Sequence, residues 1–200
     1  MIPMANNDDN WIANVLSYVR NSFGNRAGFV TAADVARLRP EAAKRTQPWT
    51  IQDLRAAIPQ SLDRKGWKLT SSHNEQNLKA AIDGNAGSRW DTKTPQVPGM
   101  WFTIELPEET VISTIRLDAT ASKNDYPRGY KVELSSDNKT WSKPVAEGKG
   151  DTAVTQIEFA PAKAKFVRIT QTGSVQGLFW SIHEVEILAP SASKQRLGVR

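Results

Sequence analysis

Two hydrophobic periodicities divide this chain of 200 residues. From Trp11 to Gly24 the apolar residues Trp11, Ile12, Val15, Leu16 and Val19 recur at helical spacing behind the capping groups of Asp8-Asp9-Asn10. One amphipathic helix of about four turns is expected there. Thr31 with Asp34 three residues on reads as a capping box that opens a helix to Arg39, stopped by Pro40, and Thr50 opens a third that Pro59 ends. After Lys65-Gly66 the period becomes two. Phe102/Ile104/Leu106, Ile115/Leu117/Ala119, Tyr130/Val132/Leu134 and Val185/Ile187 each alternate with polar residues, as strands with one wet face require. Gly, Pro, Asn and Asp separate these short runs, which argues for an antiparallel sandwich. The expected organisation is a helical segment over 1–64, a β-sandwich over 65–190 and a flexible tail over 191–200. Three short helices make a thin core, so 65–190 is expected to fold alone and 1–64 is not. Trp67 and Trp141 are expected in the core or at its ends.

Composition then narrows the class. No apolar run approaches the ~20 residues of a membrane-spanning helix, and the mean hydropathy is −0.49. Met1 to Asn7 has neither a basic nor an apolar region, so no signal peptide is read there. With no cysteine, disulfides and thiolate metal sites are excluded. The net charge of +5 is dispersed: 8 Lys/Arg against 6 Asp/Glu in residues 1–64, and 18 against 15 in residues 65–200. Without a basic run, nucleic acid is not an expected partner. There is no Gly-x-Ser-x-Gly elbow, no His-x-x-x-His pair and no Gly-rich phosphate loop, and Glu108-Glu109 between Pro107 and Thr110 reads as an exposed turn. Catalysis is not expected.

Several segments carry a resemblance. Ala81-Ile82-Asp83-Gly84-Asn85-Ala86-Gly87-Ser88-Arg89-Trp90 is a turn-rich loop. It is followed in order by Met100-Trp101-Phe102-Thr103-Ile104-Glu105-Leu106, by Tyr130 to Trp141, by Phe166-Val167-Arg168-Ile169 and by Trp180 to Ile187. Over residues 65–190 this resembles the discoidin-type domain, also called the coagulation factor 5/8 type C domain. The resemblance implies a mainly β fold, an antiparallel β-sandwich of jelly-roll type, here with a short α-helical N-terminal segment. It implies a non-catalytic binding module whose loops take carbohydrate, with a protein-interaction or structural module as the alternative. It also implies calcium: Asp83, Asn85 and Ser88, with Glu184 from the last strand and the backbone carbonyl of Ala80, would supply hard oxygen ligands for an ion that ties loops to the sheet. A hydrogen-bonded turn without metal is the other reading of that loop.

A second resemblance lies upstream. Met1-Ile2-Pro3-Met4 followed by Trp11 to Asn25 is similar to the C-terminal end of a class I cytochrome c domain, in which a Met-x-Pro segment supplies the axial thioether. Met1 matches the ligand position best, as a relic ligand or merely an initiator, and Met4 is the nearby alternative. Haem is not expected in this chain, because Cys-x-x-Cys-His is missing. The parent protein is then expected to be periplasmic or extracellular, with the missing upstream cytochrome part as a second partner beside glycan.

Sugar recognition needs an aromatic face and polar groups on loops at one end of a rigid sandwich. Asp91, Asn124, Asp125 and Arg128 are the candidates for hydroxyl contacts, Tyr126 and Phe179 the candidate platforms, and His73 sits on a first loop that could reach the same end. Arg89, Trp90 and Trp180 can equally be buried structural residues, and Arg128 can be a surface partner of Asp125.

Overall fold

The computed structural model describes residues 6–25, 27–44, 47–48 and 50–191, in two compact units, one ending at Ile51 and one starting at Gln52. In the first unit helix α1 (Asp9–Arg20) begins where Asp8 Oδ1 accepts from the Trp11 amide at 2.8 Å. Helix α2 (Ala32–Ala43) carries the reciprocal capping box, with Asp34 N–H donating to Thr31 Oγ1 and Thr31 N–H to Asp34 Oδ2. Pro40 does not stop this helix, which runs on to Ala43 with the proline inside it. A proline so close to the end removes one ladder bond and leaves the turns before it intact. Arg39, just ahead of it, is held by Asp9 Oδ1 and the Asn7 carbonyl, each at 2.8 Å. Burial is sparse: Ala13 and Val35 are covered, while Trp11, Leu16, Tyr18 and Val19 stay exposed. Met1 and Met4, the candidate haem ligands, lie outside the described residues, as does the tail over 192–200.

Helix α3 (Ile51–Ala57) ends before Pro59. Strands β1 (Gln60–Ser61), β2 (Lys68–Ser71), β3 (Trp90–Asp91), β4 (Trp101–Asp118), β5 (Tyr130–Ser135), β6 (Ala146–Gly148), β7 (Val154–Gln171), β8 (Ser181–Ile182) and β9 (Glu184–Ala189) follow. All pairings are antiparallel. The main sheet has the order β1-β9-β4-β7-β5-β6 with β2 added on β4, and β3-β8 form a second, two-stranded sheet. The sheet begins upstream of Lys65-Gly66, since Gln60 pairs with Ala189 and the Leu62 amide bonds the Ile187 carbonyl at 2.8 Å. Strands β4 and β7 are long and their mutual register shifts between Glu105 and Thr110 and again between Ile112 and Thr114. Such irregularities bend a strand and let it pass from one layer of the jelly roll to the other. Glu108 and Glu109 are therefore not a turn; they are exposed residues within β4 at its first irregularity.

The period-two pattern resolves into one core. Phe102, Ile104 and Leu106 of β4, Val132 of β5, Val167 and Ile169 of β7 and Val185 and Ile187 of β9 are buried together with Trp90 and Trp180. Trp90 packs edge-on to Trp180 with ring centroids 5.3 Å apart and to Phe102 at 4.9 Å. Trp67 also joins this cluster. Trp141 does not: it is half-buried, with the Arg168 guanidinium 3.9 Å above its ring on the other face of the sheet.

Candidate functional site

The short β3-β8 pair places the candidate residues. Trp90 lies opposite Ile182 and Asp91 opposite Ser181. Because side chains alternate along a strand, burying Trp90 in the core turns Asp91 to the other side, next to Ser181. Ser181 Oγ donates to Asp125 Oδ2 at 2.8 Å and its amide to the Asp125 carbonyl at 2.9 Å, so the 120–128 loop is fastened beside Asp91. Arg89 fills the space between the two carboxylates. Its Nε donates to Asp91 Oδ2 at 3.0 Å and its guanidinium stands 3.6 Å from Asp125 Oδ2 while also donating to Ser122 Oγ. The first loop joins through Asn74, whose left-handed backbone (φ 51°) lets its side-chain amide donate to the Asp91 carbonyl at 3.0 Å. Next to it, His73 gives its carbonyl to the Trp90 indole N–H at 3.0 Å, and its Nδ1 meets Ser72 Oγ at 2.8 Å. His73, Asp91 and Asp125 thus converge at one end of the sandwich.

A buried amide holds the remaining loops. Gln96 Nε2 donates to the Tyr126 carbonyl at 3.0 Å and the Phe179 carbonyl at 2.8 Å, while its Oε1 accepts from the Arg128 amide at 3.1 Å and from Gln171 Nε2. Gln171 Oε1 in turn accepts from the Gly129 amide at 3.0 Å. Tyr126, Arg128 and Phe179 are therefore brought to one place by their backbones. Both aromatics are half-buried and Asn124 is exposed.

Two expected roles change. Asp91 is only 1% exposed and both its oxygens are engaged, by Arg89, by the Lys93 amide at 3.1 Å and by the Lys93 ammonium at 3.6 Å. In this arrangement its carboxylate holds the Arg89 and Lys93 cations. The Tyr126 ring is not an open platform on both faces, since the Arg128 guanidinium lies 3.8 Å over it; the pair presents a composite aromatic and cationic surface. Arg128 pairs with the Asn124 carbonyl at 2.7 Å rather than with Asp125. Gln96, Ser122, Ser181 and His183 were not legible as site residues, because isolated polar residues in loops and in a two-residue strand carry no periodic signal.

The loop over 83–88 closes on itself. Asp83 Oδ1 accepts from the Asn85 amide at 2.8 Å, Asp83 Oδ2 from Ser88 Oγ at 2.7 Å, and Asn85 Oδ1 from the Gly87 amide at 3.0 Å. The Ser88 hydroxyl and the Asn85 amide hold the Asp83 carboxyl below its usual range. His183 Nδ1 donates to the Ala86 carbonyl at 2.8 Å, since a carbonyl only accepts, and its Nε2 lies 2.8 Å from Ser122 Oγ. The turn is thereby seated against the start of β9, where Glu184 lies. Glu184 gives Oε2 to Arg64, and its Oε1 is buried with no hydrogen-bond partner. An unmatched buried carboxylate oxygen beside an oxygen-rich turn fits a cation, whereas the engaged Asp83 and Ser88 oxygens fit a self-sufficient turn. Among the described residues no group of three or more acidic or histidine side chains gathers as a metal cluster, so any ion here relies on backbone carbonyls and few charges.

No curated protein sequence matches this chain. In fold it is similar to the module CpGH89CBM32-5 of Clostridium perfringens, solved in complex with GalNAc-β-1,3-galactose, at 22% identity and a TM-score of 0.57 over 65% of this chain and 100% of that one. It is similar to the family 32 carbohydrate-binding module of C. perfringens NanJ in complex with galactose, at 23% identity and a TM-score of 0.56 over 66% and 99%. The CBM32 of AlyQ in complex with 4,5-unsaturated mannuronic acid aligns at 25% identity and a TM-score of 0.53 over 64% and 97%. The F5/8 type C family model matches residues 67–185. That span holds the core cluster apart from Ile187, the β3-β8 pair and every loop of the candidate site, and with it the chain belongs to the F5/8 type C domain family.

Proposed function

We propose that the sandwich is a non-catalytic carbohydrate-binding module, carried in the C-terminal part of a larger, cytochrome-containing periplasmic or extracellular protein. The observation that carries this reading is the convergence of His73, Asn124, Asp125, Arg128, Tyr126 and Phe179 on loops fastened by the buried Gln96 amide, by Asn74 on Asp91 and by Ser181 on Asp125. A rigid frame with polar and aromatic groups on its loops is what weak, specific sugar recognition needs. The carbohydrates in the similar structures support the same class of ligand. The helical unit is the tail of the cytochrome part in this reading, and its exposed Trp11, Leu16, Tyr18 and Val19 favour the alternative of a protein partner for that unit. Among the described residues no helix is long and apolar enough to cross a membrane.

A glycan array with multivalent display tests this, because an isolated shallow site is expected to bind with a dissociation constant of roughly 0.1–1 mM. Tyr126→Ala and Arg128→Ala should each weaken binding by about tenfold with the melting temperature held, as loop residues contribute little core packing. If no glycan binds and a protein partner is recovered through the same loops, the interaction-module reading replaces this one.

Calcium is the proposed structural ion of the 83–88 loop, with Asp83, Asn85, Ser88, Glu184 and the Ala80 carbonyl as its oxygens. It would hold loop to sheet and do no chemistry. A ligand of the native state alone stabilises it by about 2.7 kcal/mol at a hundredfold excess over Kd. Calcium should therefore raise the melting temperature, and Asp83→Ala should remove the rise. Identical melting curves in calcium and in chelator leave only the hydrogen-bonded turn.

A further inference from the structure

We propose that Arg64 competes with calcium for the Glu184 carboxylate and thereby sets how strongly the 83–88 loop takes the ion. The inference rests on the calcium reading of that loop and concerns a residue outside its oxygen set. Arg64 Nη1 donates to Glu184 Oε2, and its Nη2 stands 3.9 Å from Glu186 Oε1. The pair is largely covered, with the Arg64 side chain 25% exposed and that of Glu184 13%. Arg64 also lines one pocket with Asp83. Its charge reaches the Asp83 carboxyl, which the Ser88 hydroxyl and the Asn85 amide already hold below its usual range. A single guanidinium thus acts on both carboxylates of the oxygen set.

Calcium affinity rises with the negative charge of its ligands and falls when a fixed cation shares them. Asn85 is neutral, so the formal charge offered to an ion is that of Asp83 and Glu184 alone. Arg64 cancels one of these two. A covered carboxylate without a counter-ion is costly, so the guanidinium stabilises Glu184 whenever no ion is bound. That stabilisation is lost when Glu184 turns to an ion, and it is subtracted from the free energy of binding. Of the two carboxylate oxygens, Oε2 belongs to Arg64, while Oε1 is buried without a hydrogen-bond partner. The pocket of about 710 Å3 that Arg64 shares with Trp67, Leu78 and Ile82 gives the displaced side chain room to turn. Glu186 does not depend on Arg64, since Arg116 stands 3.3 Å from its Oε2.

Calorimetric titration of the full chain with calcium, at about 0.15 M salt to screen distant charges, compares the parent with Arg64→Gln, Arg64→Lys and Arg116→Gln. Arg64→Gln should bind calcium at least about tenfold tighter than the parent, and its melting temperature in chelator should be lower. Arg64→Lys keeps the charge and should stay closer to the parent than to Arg64→Gln. Arg116→Gln removes an equal charge from the same face of the sheet, but one that faces Glu186 and Asp118 at 3.3 and 3.6 Å, so it should change the affinity much less. In the parent, the Arg64 guanidinium NMR signals should shift when calcium is added, a readout that needs no variant should Arg64→Gln fail to fold. Parental or weaker affinity in Arg64→Gln overturns the inference and leaves the calcium reading standing. An equal gain in Arg116→Gln does the same, because it reduces the effect to net charge, and so do guanidinium signals that stay unmoved in the calcium-bound parent. Calcium binding by Arg64→Gln alone supports the inference and overturns the calcium reading of the parent. No calcium binding by any of these chains overturns both.

Discussion

Trp90→Ala is expected to leave the sandwich largely unfolded at physiological temperature, at a cost of about 3–5 kcal/mol, the range for removing a fully buried large aromatic. Trp90 is 0% exposed and packs on two other rings, Trp180 and Phe102, so its deletion opens a void lined by stiff aromatics that cannot collapse into it. It also removes the indole N–H from the His73 carbonyl, which loosens the first loop. Urea denaturation of the parent and the variant measures the loss. Trp141→Ala is the control: its ring is half-buried and faces the Arg168 guanidinium, an interaction on the order of 1–2 kcal/mol. Equal costs for the two tryptophans would show that the β3-β8 layer is not the keystone of the core.

Gln96→Leu should have the second largest effect and should combine lost stability with lost binding. Gln96 is 1% exposed, and its amide serves two carbonyls, one backbone N–H and Gln171. Leucine has similar volume but leaves these groups facing an apolar side chain, and each buried group without a partner costs about 1–3 kcal/mol. Relaxation and water entry recover part of this, so a net loss of about 2–4 kcal/mol is expected. Hydrogen exchange should quicken at the Arg128 amide, which donates to Gln96, and at the Gly129 amide, which donates to Gln171. Glycan affinity should fall with it, since the Tyr126 and Phe179 backbones lose their common anchor. A variant with parental stability and unchanged exchange would make Gln96 a bystander.

The sequence alone determined what is local or periodic. The alternation in Phe102/Ile104/Leu106 and Val185/Ile187 fixes which face of a strand is buried, because neighbouring side chains point to opposite sides whatever the strand pairs with. The Thr31-Asp34 capping box formed as its spacing requires, since its bonds span three residues. The order of segments from Asp83 to Ile187 was enough for the family. Pro40 shows the limit of local reading: its effect on a helix depends on how many turns remain to lose and on anchors such as that of Arg39 to Asp9, thirty residues away.

What only the tertiary structure decided is the condition of the candidate site residues. Asp91 reads as a free carboxylate in sequence, and only the folded loops show that its oxygens are taken by Arg89 and the Lys93 amide, with Arg89 itself held by Ser122 and Asp125 from a loop some thirty residues on. Gln96 lies outside the segments that carry the resemblance, and His183 lies inside one without a partner in sight; their hydrogen-bond partners are 30 to 97 residues away along the chain. The physical reason is that hydrophobic burial is set by the strength and period of a pattern, which a sequence displays, whereas a hydrogen bond needs two groups within about 3 Å in a given orientation, and that distance exists only after the chain has closed on itself.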